Sequence, residues 1–265
     1  MSNKFISWLL FILLCLIWGS SFKLMKDSTA ALTGSQIASL RIFAAALVCL
    51  PYALFQLKKI DTNRLPLVAF SAVIGNLLPA FLFAIALTRI DGSLGGILNS
   101  LTPICVVLIG ILFYGERIAG QKMIGLLVGF TGLVLLTLVP VFTGERVISF
   151  DNMSYLLLPV VATLLYGVNV NMVSHRLKDI NPINLATVSV AFMIIPSSLL
   201  LWQLDFFSLD FSNAANQQAI WGTAALGVLG SAVATVLFYS LVQRAGGLFA
   251  SLVTYGIPFV ALFWG

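Results

Sequence analysis

Long apolar stretches alternate with short polar ones along the whole chain. The apolar runs cover roughly residues 5–26, 36–57, 65–88, 92–114, 121–141, 154–175, 182–203, 219–242 and 247–265, and they carry almost no charge. Each is close to the ~20 helical residues that cross a bilayer core of about 30 Å. Backbone groups inside hydrocarbon must satisfy one another, so these runs are predicted to be helices. The two-residue alternation of a transmembrane barrel is absent. The expected fold class is therefore all-α, a polytopic membrane protein. The first run has the outline of a secretory leader, with Lys4, an apolar core and Gly19-Ser20-Ser21. It lacks an Ala-x-Ala cleavage pattern and has a counterpart later in the chain, so it is read as a span.

Composition sharpens this picture. Hydrophobic residues make up 60% of the chain and charged residues 9%, with a mean hydropathy of +1.06. Soluble domains carry roughly a quarter charged residues. The formal charge of +5 does not imply nucleic acid, because the basic residues are scattered in ones and twos between apolar runs. It sets orientation instead. With the amino terminus cytoplasmic, Lys4, Lys58, Lys59, Arg64, Arg117, Lys122, Arg176, Lys178 and Arg244 fall inside, and only Lys23, Lys26, Arg89 and Arg146 outside. The positive-inside rule selects that orientation. Asp27, Asp91, Glu145, Asp151, Asp205 and Asp210 then lie outside. Cys15, Cys49 and Cys105 all sit in apolar runs and form neither a disulfide framework nor a metal-ligand spacing. No motif asks for a cofactor.

The chain also repeats itself. Residues 81–92 align without a gap on residues 236–247, with Leu, Phe, Arg and Gly coinciding. In the same register Pro103 falls on Pro258, and Gly75-Asn76 on Gly230-Ser231; Trp18-Gly19 lies over Tyr166-Gly167 and Pro51 over Pro196 at slightly shorter offsets. A five-helix repeat is odd in number, so its second copy enters the membrane from the opposite side, as in many secondary transporters that bind substrate near the midplane. The expectation is a ten-helix inverted-repeat bundle of five plus five. Residues 1–141 form the first repeat and 154–265 the second, which stops within or just after its fourth helix, so that a tenth helix is missing from this chain.

Ile17-Trp18-Gly19-Ser20-Ser21-Phe22, Arg41-Ile42-Phe43-Ala44-Ala45, Leu101-Thr102-Pro103, Tyr114-Gly115-Glu116-Arg117, Gly125 and Gly129 together resemble an EamA-type member of the drug/metabolite transporter superfamily. The resemblance covers essentially the whole chain and is strongest in the first half. It implies both termini in the cytoplasm and a place in the plasma membrane, the inner membrane of a bacterium. It further implies export of amino acids, metabolites or toxic amphipathic compounds, with helices 3, 4, 8 and 9 around a central cavity and helices 1 and 6 beside them. The second half departs from the pattern, with Tyr166-Gly167-Val168-Asn169 where helix 1 has Trp18-Gly19-Ser20-Ser21.

Polar groups within spans are where function concentrates, since each costs free energy unless it meets protein or water. Asn76, Asn99, Ser100 and Thr102 on helices 3 and 4, and Ser231, Thr235, Tyr239, Thr254 and Tyr255 on helices 8 and 9, are candidate cavity residues. The same groups also suit plain interhelical hydrogen bonds. Trp18, Tyr166, Asn169 and Asn171 place aromatic rings and amides on helices 1 and 6, either as a cavity wall that attracts an amine or as packing. Pro103 and Pro258 are expected to kink helices 4 and 9 and free carbonyls near Asn99 and Thr254. Arg41, about one turn inside helix 2, either snorkels to the outer surface or counters an anionic group in the cavity. Glu116 is read as structural at the membrane edge and His175 as a solvated cap. Gly125-x-x-x-Gly129 permits close helix approach, within the chain or in a homodimer. No Walker lysine or phosphate loop is present, nor the catalytic pairs an intramembrane enzyme needs. Transport of a small molecule is the leading expectation, with a channel or sensory membrane protein as the alternative.

Overall fold

The computed structural model describes residues 3–90, 92–144 and 153–263, and every regular element among them is helical. In chain order they are α1 (Asn3–Ser28), α2 (Gly34–Gln56), α3 (Leu65–Ala72), α4 (Leu78–Leu87), α5 (Gly92–Asn99), α6 (Thr102–Tyr114), α7 (Gly120–Phe142), α8 (Met153–His175), α9 (Pro182–Ala191), α10 (Ile194–Gln203), α11 (Ala214–Gly227), α12 (Ala234–Ala245), α13 (Gly247–Ser251) and α14 (Val253–Phe263). Seven helical segments are long and apolar enough to cross a membrane, and α7 and α13–α14 supply shorter apolar stretches. These correspond to the nine runs expected from the sequence. The charges assigned to Asp91, Glu145, Arg146 and Asp151 fall outside the described residues.

Polar turn residues start and stop the spans. Thr33 and Gln36 form a reciprocal capping box at the head of α2, Asn181 caps α9 ahead of Pro182, and Asn213 caps α11. Each supplies an acceptor to backbone N–H groups that a helix start leaves unpaired. Gly115 closes α6 at φ 65°, a conformation that glycine adopts without steric cost. The Asn213 cap begins α11 several residues before the apolar run at 219, because the turn chemistry rather than hydropathy sets the helix end.

Two irregularities recur in both halves. The third span runs α3, a π-helical turn Val73–Leu77 and α4; the eighth runs α11, a π-helical turn Val228–Val233 and α12. The turns occupy the same place in the repeat. The fourth and ninth spans are each broken near mid-length, at Ser100–Leu101 and at Leu252. Hydroxyls pair the loosened carbonyls: Ser100 Oγ donates to Ile97 O and Thr102 Oγ1 to Asn99 O at 2.7 Å. In the other half Ser251 Oγ donates to Leu248 O at 2.8 Å and Thr254 Oγ1 to Ser251 O at 2.9 Å.

The packing has the same exchange relation. α1 lies on α14 as α8 lies on α6, α1 on α11 and α12 as α8 on α3 and α4, and α2 on α11 as α9 on α3. These pairings between the halves thus recur with the halves exchanged. Glycines permit the closest approaches: a Cβ at Gly227 would collide with the Arg41 carbonyl oxygen, and one at Gly34 would sit 2.6 Å from Ala84 O. All three cysteines are buried and free.

Candidate functional site

Where the halves meet, their polar residues surround a central cavity. Trp18 on α1, Arg41 on α2, Asn76 in the first π turn, Phe83 on α4, Asn99 on α5 and Thr102 on α6 line it from the first half. Tyr166 and Asn169 on α8, Ser231 in the second π turn, Thr235, Phe238 and Tyr239 on α12, Ser251 on α13 and Thr254 on α14 line it from the second. The open space between these side chains is about 90 Å³.

Two aromatic pairs flank the space and are copies of one another. Trp18 packs on Phe238 with ring centres 5.2 Å apart, and Tyr166 stacks on Phe83 at 6.4 Å. Trp18 corresponds to Tyr166 in the repeat, and Phe83 to Phe238. Each π turn also presents a glycine to the neighbouring helix. A Cβ on Gly230 would lie 2.8 Å from Ser21 Oγ, and one on Gly75 would collide with the Asn169 amide.

Polar chemistry then differs between the two places. Around Gly230, the Trp18 Nε1–H donates to the Gly230 carbonyl at 2.9 Å. Arg41 donates from Nε to Ser231 Oγ at 2.7 Å and from Nη2 to Gly230 O at 3.3 Å. A π turn loosens the local carbonyl ladder, and here one of its carbonyls takes two side-chain donors. Around Gly75, three side chains close a ring. Ser71 Oγ donates to Asn169 Oδ1 at 2.6 Å, Asn169 Nδ2 donates to the Tyr239 hydroxyl at 3.2 Å, and the Ser71 and Tyr239 oxygens are 3.1 Å apart. Ser71 has a single proton and spends it on Asn169, so Tyr239 donates the third bond. Asn76 Oδ1 accepts from Thr235 at 3.0 Å, but its Nδ2, sealed from solvent, has no partner.

Of the residues the sequence offers for the cavity, Trp18, Asn76, Asn99, Thr102, Tyr166, Asn169, Ser231, Thr235, Tyr239 and Thr254 line the space. Ser100 and Tyr255 do not. Ser100 spends its hydroxyl on its own helix. Tyr255 covers Gly129 and donates to Leu126 O at 3.0 Å, which uses the second glycine of Gly125-x-x-x-Gly129 to seat α14 on α7. Arg41 reaches the cavity wall rather than the outer surface. Pro103 lies in the first turn of α6, after the break, and not inside a continuous helix; Thr102 pairs the carbonyl of Asn99. Pro258 is inside α14 as expected. Asn171, two residues from Asn169, points elsewhere and binds Val106 O and Gly167 O, both at 2.9 Å. Ser21, Ser71, Ser251, Phe83 and Phe238 were not singled out, although Phe83 and Phe238 coincide in the aligned repeat.

A second, wider recess of about 1270 Å³ opens at the other end of α1. Lys4, Arg117, Lys122 and Arg244 line it with Trp8, Phe249 and Phe259, and Glu116 is its one carboxylate among the described residues. Glu116 Oε1 lies 3.2 Å from His175 Nε2, and Tyr114 stacks on the same imidazole at 4.3 Å. His175 therefore ties the end of α8 to the end of α6 instead of standing free as a cap.

A helical membrane protein with a polar cavity between two repeated halves is the class that these features define. Residues 5–138 and 153–265 match the EamA-like transporter family, and the chain belongs to it. An uncharacterized transporter of Archaeoglobus fulgidus is 26% identical over 189 residues, 71% of this chain and 65% of that one. An uncharacterized transporter of Synechocystis sp. is 30% identical over 125 residues, 46% of this chain and 38% of that one. The chain thus spans less than two thirds of the length of either relative. A solved crystal structure that covers 99% of this chain and 88% of its own has the same fold, with a TM-score of 0.69 at 18% identity.

Proposed function

We propose that this protein is a secondary transporter that exports a small metabolite from the cytoplasm by alternating access, with its amino terminus on the cytoplasmic side of the plasma membrane. The observation that carries this reading is the cavity shared by both halves and bounded by copies of one device, a π turn facing a helix across a glycine. Membership of the EamA-like transporter family supports it, and the positive-inside bias supports the orientation.

The free space supports a moving mechanism. About 90 Å³ is well below the roughly 300–1,000 Å³ of pockets that enclose drug-sized ligands. A solute enters only if the halves part, and rocking of one repeat on the other around a fixed midplane site is how inverted-repeat carriers do so. Asn76, Asn99, Ser231, Thr235 and Thr254 then meet the solute's polar groups, while Trp18, Tyr166, Phe83 and Phe238 cover its apolar part. Reconstituted into proteoliposomes, the protein is expected to give saturable, counterflow-competent flux. Flux that rises without limit as solute is raised, as through a channel, overturns the reading.

A further inference from the structure

Among the described residues lining the cavity there is one formal charge, that of Arg41, and no carboxylate. A guanidinium within a span is costly unless it is paired, and the contacts of Arg41 are a hydroxyl and a carbonyl, with no counter-ion among the described residues. Those two bonds use two of its five N–H donors. The second signal is Asn76, whose Oδ1 is occupied by Thr235 while its buried Nδ2 donates to nothing. A guanidinium with spare donors, on a cavity whose described lining holds no carboxylate, describes a site for an anion, and an amide N–H without a partner adds a neutral donor. The basic recess has the same sign, but the positive-inside bias alone accounts for it, so the weight rests on Arg41 and Asn76.

We infer that the cavity takes a small organic monoanion, a carboxylate-bearing metabolite, with the carboxylate on Arg41 and the Asn76 amide and the apolar part against Trp18 and Phe83. One guanidinium neutralises one charge, which favours a monocarboxylate over a doubly charged phosphate ester. The inference rests on the transport reading above and names its substrate class.

Four compounds of one shape separate the alternatives: phenylacetate, phenylacetamide, phenethylamine and phenyl phosphate. With the purified chain in detergent, phenylacetate is expected to raise the thermal unfolding midpoint and to bind about tenfold more tightly than the amide. Arg41→Gln abolishes that preference for acid over amide, and Arg41→Lys keeps part of it; a merely structural arginine would not change which compound is preferred. If Arg41→Gln does not fold, Asn76→Ala is the second variant, expected to weaken the acid several-fold and leave the amine unchanged. Equal or better binding of the amide, amine or phosphate ester, an unaltered preference in the variants, or no shift with any compound overturns the inference. In proteoliposomes, counterflow of the amine but not the acid overturns it and leaves transport standing. Binding of the acid without counterflow of any compound supports the site and overturns the transport reading.

Discussion

The two sides of the cavity start from one backbone device and end with opposite chemistry. At each, a π turn presents a glycine to the facing helix, and an aromatic pair stands beside it. On the Gly75 side the facing residue is Asn169, whose amide completes a closed, neutral ring with Ser71 and Tyr239. On the Gly230 side it is the smaller Ser21, whose hydroxyl turns back to Ile17 O at 2.7 Å, and Arg41 reaches Gly230 and Ser231 from α2. The duplicated backbone sets where polar groups collect. The side chain facing each glycine differs, and so does the charge. One side carries a closed hydrogen-bonded ring that holds α3, α8 and α12 together; the other is a cation with no counter-ion among the described residues.

The comparison breaks most readily at the backbone contact behind Arg41. Gly227→Ala places a methyl group against the Arg41 carbonyl oxygen, a backbone atom that cannot rotate away, and 2.9 Å from Ala44 Cβ. Overpacking of this kind costs about 1–3 kcal/mol, and a clear fall in the thermal or SDS unfolding midpoint is expected; an unchanged midpoint would mean that α2 and α11 are not in this contact. Tyr239→Phe opens the neutral ring and leaves Asn169 Nδ2 with no acceptor. Interhelical hydrogen bonds in membranes average about 0.6 and reach about 1.7 kcal/mol, so a loss in that range is expected, with less at Ser231→Ala because Arg41 keeps the Gly230 carbonyl. The smallest effect belongs to His175→Ala, outside both clusters. Its side chain and that of Glu116 are each 31% exposed, and a pair so open to solvent contributes about 0–1 kcal/mol. A larger loss would mark the α6–α8 end as a third anchoring point.

The spans were legible because lipid leaves the backbone one solution per apolar run, and hydropathy reports that directly. The repeat was legible at residues with backbone consequences, Gly75 over Gly230 and Pro103 over Pro258, even where other identities are sparse. Faces were harder to read. Thr254 and Tyr255 are neighbours, so a helix turns them about 100° apart; one lines the cavity and the other seats α7. Ser100 and Thr102 differ in the same way across a break that hydropathy does not register. Arg41, about a turn inside its span, suits an outward or an inward reach equally, and the shallow Ser21 opposite Gly230 favours neither in the sequence. The π turns left no sequence signal, since Gly-Asn and Gly-Ser are as compatible with an α turn.

A π turn is one residue spliced into an α-helix. Closing Val73–Leu77 or Val228–Val233 into an ordinary α ladder with no residue removed would turn everything downstream by about 100°. Phe83 and Phe238 would leave their aromatic partners, and the lipid-facing stripe of α4 or α12 would swing inward. The insertion therefore works as a phase offset: it sets the bearing of half a helix relative to the other half, and it lets one span present its lower part to one neighbour and its upper part to another.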